Sequence, residues 1–268
     1  DAHCQLMKID PPEKTEAVLP VADYSLEGVN VKSKISLPQL LNAVRNFADQ
    51  AYVANDPDLP RMNILLSGVP GSGKTEFVKY LGKEIQRKVL FKRVSDILSP
   101  YVGETERNIN EAFRQAEREN AILFFDEVDS LLQDRSGAVR SWEVFKGILI
   151  AATNRRKALD AATIRRFTFK LEFDYLTDEG KRIFFERIFK TALTDEEFVA
   201  LSKLETLVPG DFRTVRQAQY YLGSDITNAD RIAALKEECA VKPIEPSEVT
   251  PIGFMQIKKF KEDNPRFK

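Results

Sequence analysis

Gly68-Val69-Pro70-Gly71-Ser72-Gly73-Lys74-Thr75 decides how this chain is read. It follows the apolar run Met62-Asn63-Ile64-Leu65-Leu66-Ser67 and precedes Glu76–Ile85, which has helical character. Strand, glycine-rich loop and helix, in that order, form the setting a phosphate-binding loop requires. The glycines let the backbone curl so that several N–H groups face one anion. The helix that follows adds its positive N-terminal end. In this pattern Lys74 reaches the β- and γ-phosphates, and the Thr75 hydroxyl ligates Mg²⁺. Val69, Pro70, Ser72 and Glu76 complete the expected nucleotide contact.

Working outward, the 268 residues allow one large domain or two modest ones. A net charge of −1 gives no sign of a constitutive nucleic-acid binder. The single histidine, His3, excludes His-based catalysis and His-rich metal sites as the organising chemistry. Cys4 and Cys239 form no metal-ligand spacing, and so few cysteines suit a reducing, cytoplasmic setting. No apolar run approaches the ~20 residues of a membrane-spanning helix, and no signal peptide is visible. The chain starts at Asp1 rather than Met and is expected to be a fragment of a longer protein.

Residues 1–35 read as a proline-bearing lead-in or linker. Leu37, Leu40, Leu41, Val44, Phe47, Ala48 and Ala51 recur at helical spacing. Beyond the strand at Met62–Ser67, further strands are expected at Val89–Val94, Ala121–Asp126, Gly147–Ala152 and Thr168–Phe173. Ile109, Ala112, Phe113 and Ala116 make a helix face between the second and third of these five. Strands alternating with helices imply a parallel sheet covered on both sides. Residues 36–173 are thus expected to form a large α/β nucleotide-binding subdomain. Residues 174–241 show only helical patterns and are expected to form a small helical subdomain, followed by a tail at 242–268. The link before the fourth strand reads as too short, because a parallel crossover takes about a dozen residues or more. A segment is therefore expected to be absent between about Val144 and Phe145.

The third strand ends in Asp126-Glu127. Beside a phosphate-binding loop, Asp126 is placed to hold Mg²⁺ and Glu127 to activate an attacking water. Asn154, just past the fourth strand, stands where it could orient that water.

Four blocks together resemble the AAA+ ATPases, specifically their protein-remodelling AAA clade. They are the phosphate loop, Ile122–Asp129, Ile150–Asn154 and Tyr101-Val102-Gly103-Glu104-Thr105-Glu106. The resemblance covers roughly residues 36–240. It implies a P-loop NTPase fold with a five-stranded parallel sheet of order 5-1-4-3-2 and a helical lid. Nucleotide would sit between the two subdomains and against a neighbouring subunit, usually in a hexameric ring. By this resemblance Glu127 is the hydrolytic glutamate and Asn154 the sensor-1 residue. Leu159–Phe167 resembles the arginine-finger segment, but Arg165 and Arg166 are adjacent where the family has an intervening Pro-Gly. Which of the two reaches a neighbour's γ-phosphate is left open. Gly210-Asp211-Phe212-Arg213 departs from the clade and resembles the lid helix of clamp-loader-type relatives. Arg213, ahead of Arg216, is then a candidate sensor 2. Tyr101 and Val102 resemble a pore loop that grips extended polypeptide, with Arg135 and Arg140 where a second pore loop would lie.

These features imply an ATP-driven protein remodeller acting as a homo-oligomeric ring, with ATP and Mg²⁺ as cofactors. A nucleic-acid-acting motor or loader, and a slow oligomerising switch, are the alternatives.

Overall fold

The computed structural model describes residues 26–50, 61–101, 103–129, 145–155, 159–222 and 226–242. The chain divides into two compact units, with the division between Gly180 and Lys181.

The first unit is built on a six-stranded sheet. Its strands are β1 (Val31–Ser33), β2 (Met62–Gly68), β3 (Val89–Arg93), β4 (Ile122–Asp126), β5 (Ile148–Thr153) and β6 (Phe169–Phe173), in the order β1-β6-β2-β5-β4-β3. The five strands β6-β2-β5-β4-β3 are parallel and stand in the order that the family resemblance implies. The sixth, β1, corrects the expectation of five. It lies within the segment read as lead-in and pairs antiparallel with β6, Lys32 opposite Glu172. One ion pair, Lys32 Nζ to Asp174 Oδ2 at 2.5 Å, joins β1 to the residue after β6.

Helices cover both faces, which explains why the central strands read as unbroken apolar runs. Side chains alternate between the faces. Ile64, Leu66, Phe124 and Ile150 pack with Leu40 and Val44 of α1 (Leu37–Gln50) and with Phe77 and Leu81 of α2 (Lys74–Glu84). Leu65, Leu123, Phe125 and Leu149 face the other way. They pack with Val94 and Ile97 of the short α3 (Val94–Ile97) and with Ile109 and Phe113 of α4 (Glu104–Arg118). Phe113 meets Phe145 edge-on at 5.0 Å, a favoured aromatic geometry. A five-residue helix, α5 (Ala161–Arg165), leads into β6 and is capped by Asp160, whose side chain accepts the Thr163 N–H. Residues 130–144, where a segment is expected to be absent, lie outside the described residues.

The next helix, α6 (Asp178–Phe189), contains the division between the units. The second unit continues with α7 (Asp195–Ser202), α8 (Pro209–Leu222) and α9 (Asn228–Val241). Two of these helices start on reciprocal capping boxes, Thr194 with Glu197 and Thr227 with Asp230. Phe185, Leu201, Phe212 and Leu235 form its buried interior. Asp211, in the first turn of α8, accepts from Val208 N at 2.8 Å and from Lys242 Nζ at 2.5 Å, which ties the end of α9 to the start of α8.

Candidate active site

Sheet register assembles the site. Ser67 of β2 lies beside Thr153 of β5, and Phe125 of β4 lies beside Ala151 of β5. The loop after β2, Asn154 after β5, and Asp126-Glu127 at the end of β4 therefore emerge together at the carboxyl ends of three adjacent parallel strands. Ligands of open α/β sheets bind at that edge.

Gly68 leaves β2 at φ 139°. A Cβ there would stand 2.0 Å from the Phe173 carbonyl oxygen, so only glycine lets the loop leave against β6. Gly73 caps α2 in the left-handed conformation and supplies no side-chain cap. The first N–H groups of α2 thus keep their donor capacity for an anion. Lys74 is only 7% exposed. Its ammonium donates to Gly68 O at 2.8 Å, Val69 O at 2.9 Å and Ser72 Oγ at 3.5 Å. Burial lowers its pKa to about 8, and the carboxylates of Asp126 and Asp129 oppose that fall.

A lysine holds phosphate in its charged form, and a phosphate bound at Lys74 would return the pKa toward its ordinary value. Nucleotide binding above pH 8 is therefore expected to take up a proton, and affinity to fall as pH rises through that range. Calorimetry at pH 9 in two buffers of different ionisation enthalpy is expected to show uptake of most of one proton per site. Proton-neutral binding there would contradict this reading.

Asp126 is half-buried, and burial raises its pKa. Its Oδ1 accepts the Glu127 N–H at 3.0 Å. Glu127 is exposed and has φ 58°, a conformation that non-glycine residues seldom adopt and that recurs at functional sites. The next residue returns to the sheet, with Val128 N donating to Ala152 O at 3.1 Å. The chain thus throws Glu127 out of the strand line toward the crevice edge. Asn154 is exposed one residue beyond β5.

Arg165 and Arg166 are not brought to this site. Both are exposed, at the end of α5. The Arg166 carbonyl accepts from Asn63 Nδ2 at 3.5 Å, and Asn63 lies at the start of β2, not at its loop end. Tyr101 is 70% exposed. Its loop is held by Tyr101 N to Ser99 Oγ at 3.2 Å and by Glu104 N to Tyr101 O at 3.3 Å. Val102, Arg135 and Arg140 lie outside the described residues. Arg213 and Arg216 lie in the second unit, where they share a surface groove of α8 with Tyr220 and Tyr221.

Two residues of this region were not singled out from sequence, Thr153 and Asp129. The Thr153 hydroxyl donates to Asp129 Oδ1 and accepts the Arg155 N–H at 2.8 Å. Their only signal in the sequence is their nearness to Asn154 and Glu127. Among the described residues, no group of three His, Cys, Asp or Glu forms a metal cluster, and no helix is long and apolar enough to cross a membrane.

Residues 64–175 match the family model described as ATPase family associated with various cellular activities (AAA). The motif and the site geometry agree with that family match over the matched segment. Spastin of Drosophila melanogaster is 28% identical over 218 residues, covering 74% of this chain and 27% of Spastin. The chain therefore spans about a quarter of that relative's length. An uncharacterized AAA family ATPase, y4kL, of Sinorhizobium fredii is 33% identical over 159 residues, 54% of this chain and 48% of that protein. Among solved structures, the FIGL-1 AAA domain in complex with ADP superposes with a TM-score of 0.56 at 19% identity, covering 90% of this chain and 94% of that one.

Proposed function

We propose that this chain is an ATP-hydrolysing motor domain that assembles into a ring, as a hexamer, and remodels protein substrates in the cytoplasm. The observation that carries the hydrolytic part is the convergence of the Gly68–Thr75 loop, Asp126-Glu127 and Asn154 on one sheet edge. Uncapped N–H groups of α2 and the buried Lys74 ammonium suit a triphosphate. Thr75 and Asp126 would hold Mg²⁺, which neutralises phosphate charge when bound. Glu127 then takes a proton from the attacking water, and Asn154 orients that water. The FIGL-1 AAA domain, which shares the fold, was solved in complex with ADP, which supports a nucleotide as the ligand of this chain.

Assembly is supported by the placement of Arg165 and Arg166. Both lie at the sheet edge opposite their own phosphate loop, so they suit a neighbour's site better than their own. Protein as substrate is supported by Tyr101, whose exposed ring needs no particular sequence to grip a chain. Replacing Tyr101 by alanine is expected to leave ATP turnover within about twofold and to remove substrate remodelling. The readout is ATP-dependent unfolding of a fluorescent reporter protein carrying an unstructured tail. Full unfolding activity in that variant would contradict the pore-loop role.

A further inference from the structure

Glu127 and Asn154 each stand at the tip of a turn, and a second pair of side chains joins the two turns. Thr153, the last residue of β5, is 1% exposed. Its hydroxyl uses both of its capacities, as donor to Asp129 Oδ1 and as acceptor from Arg155 N. The direction is fixed, because an ionised carboxylate can only accept. Thr153 and Arg155 flank Asn154, so this hydroxyl closes a short turn that presents Asn154 outward. Asp129 lies two residues after Glu127. The residue between them, Val128, is fully buried and bonded through its N–H to Ala152 O. Asp129 and Glu127 are therefore attached to one rigid point of β5. A valine at position 153 would fill the same volume on a buried strand, so packing alone gives no reason for a hydroxyl.

We propose that Thr153 and Asp129 are positioning residues that set the separation of Glu127 and Asn154 for hydrolysis. The inference rests on the hydrolytic reading above. Neither side chain acts on the reacting atoms. Each acts through the turn it holds, and the Asp129 charge additionally favours the charged form of Lys74.

The test is single-turnover ATP hydrolysis, nucleotide affinity and thermal melting of Thr153→Val and Thr153→Ser. Both are made in the native background and in Asn154→Ala. Thr153→Val is expected to slow hydrolysis roughly 10- to 100-fold, the scale of a small misplacement of catalytic groups, with affinity changed less than about threefold. Thr153→Ser is expected to recover most of the rate. In the Asn154→Ala background, Thr153→Val is expected to cost little more, because the group it positions is gone. An unchanged rate in Thr153→Val would overturn the proposal. So would the same fall in both backgrounds, or a Thr153→Ser as slow as Thr153→Val. Should Thr153→Val not fold, Asp129→Ala reads the link from its other end. The same fall and the same dependence on Asn154 are expected, and independence from Asn154 would overturn the proposal. Glu127→Gln is assayed alongside. If it still turns over, the hydrolytic reading itself has failed, and the positioning role falls with it for that separate reason.

Discussion

Glu127→Gln is expected to lose ATP turnover by roughly 10²- to 10⁴-fold, the usual contribution of a positioned general base. Glutamine keeps the size and hydrogen-bonding reach of glutamate but cannot take the proton from water. Nucleotide binding should survive, because the proposed phosphate contacts are made by the Gly68–Thr75 backbone and Lys74, not by Glu127. Stability should also survive. Glu127 is exposed, and its φ of 58° is imposed by its neighbours. Asp126 Oδ1 holds the Glu127 N–H, and Val128 is anchored to Ala152. The expected pattern is therefore tight binding, an unchanged melting temperature and almost no phosphate release. Turnover within twofold of the native protein would remove Glu127 from the chemistry.

The second large effect concerns Arg165 and Arg166. In this chain Asn63 meets the Arg166 carbonyl, while the phosphate loop begins at Gly68. The rise of a strand puts those points about 16 Å apart, further than an arginine side chain extends. A contribution to hydrolysis must then come through another subunit's site. Arginines supplied in this way raise rates by roughly 10³ to 10⁵ in well-studied cases. Arg165→Ala and Arg166→Ala, made singly, are expected to divide unequally. The finger should cost about a thousandfold in turnover, its neighbour far less. Equal and small losses, within about threefold for each, would leave the site without an arginine finger.

The five parallel strands were legible because burial on both faces writes them as continuous apolar runs. Ile64, Leu65 and Leu66 are all buried, although they alternate between two cores. Their order in the sheet was not written in periodicity at all and came only through the family resemblance. β1 was not legible. Of Val31-Lys32-Ser33 only Val31 is apolar, and the strand is defined by pairing with Leu171–Phe173, far along the chain. The phosphate loop was legible because its chemistry is local, eight consecutive residues between a strand and a helix. The Thr153–Asp129 link was not, because a hydrogen bond across 24 residues leaves no pattern that spacing can detect. The same holds for the positive φ of Glu127, which arises from tertiary anchoring on both sides. For the arginines, only the family resemblance pointed to the segment. Their distance from their own phosphate loop could be known only from the register of β2 and β6.

If hydrolysis is completed between subunits, as proposed, mixing two inactive variants should restore it. Subunits carrying Glu127→Gln keep both arginines but cannot activate water. Subunits carrying Arg165→Ala with Arg166→Ala keep Glu127 but offer a neighbour no finger. Each preparation alone is expected to be nearly inactive. Mixed and allowed to exchange, they form sites in which an intact Glu127 faces an intact arginine pair, and turnover should rise well above either parent. If the mixture stays at the sum of its parts while sizing shows mixed assemblies, the shared site is wrong and each subunit hydrolyses alone.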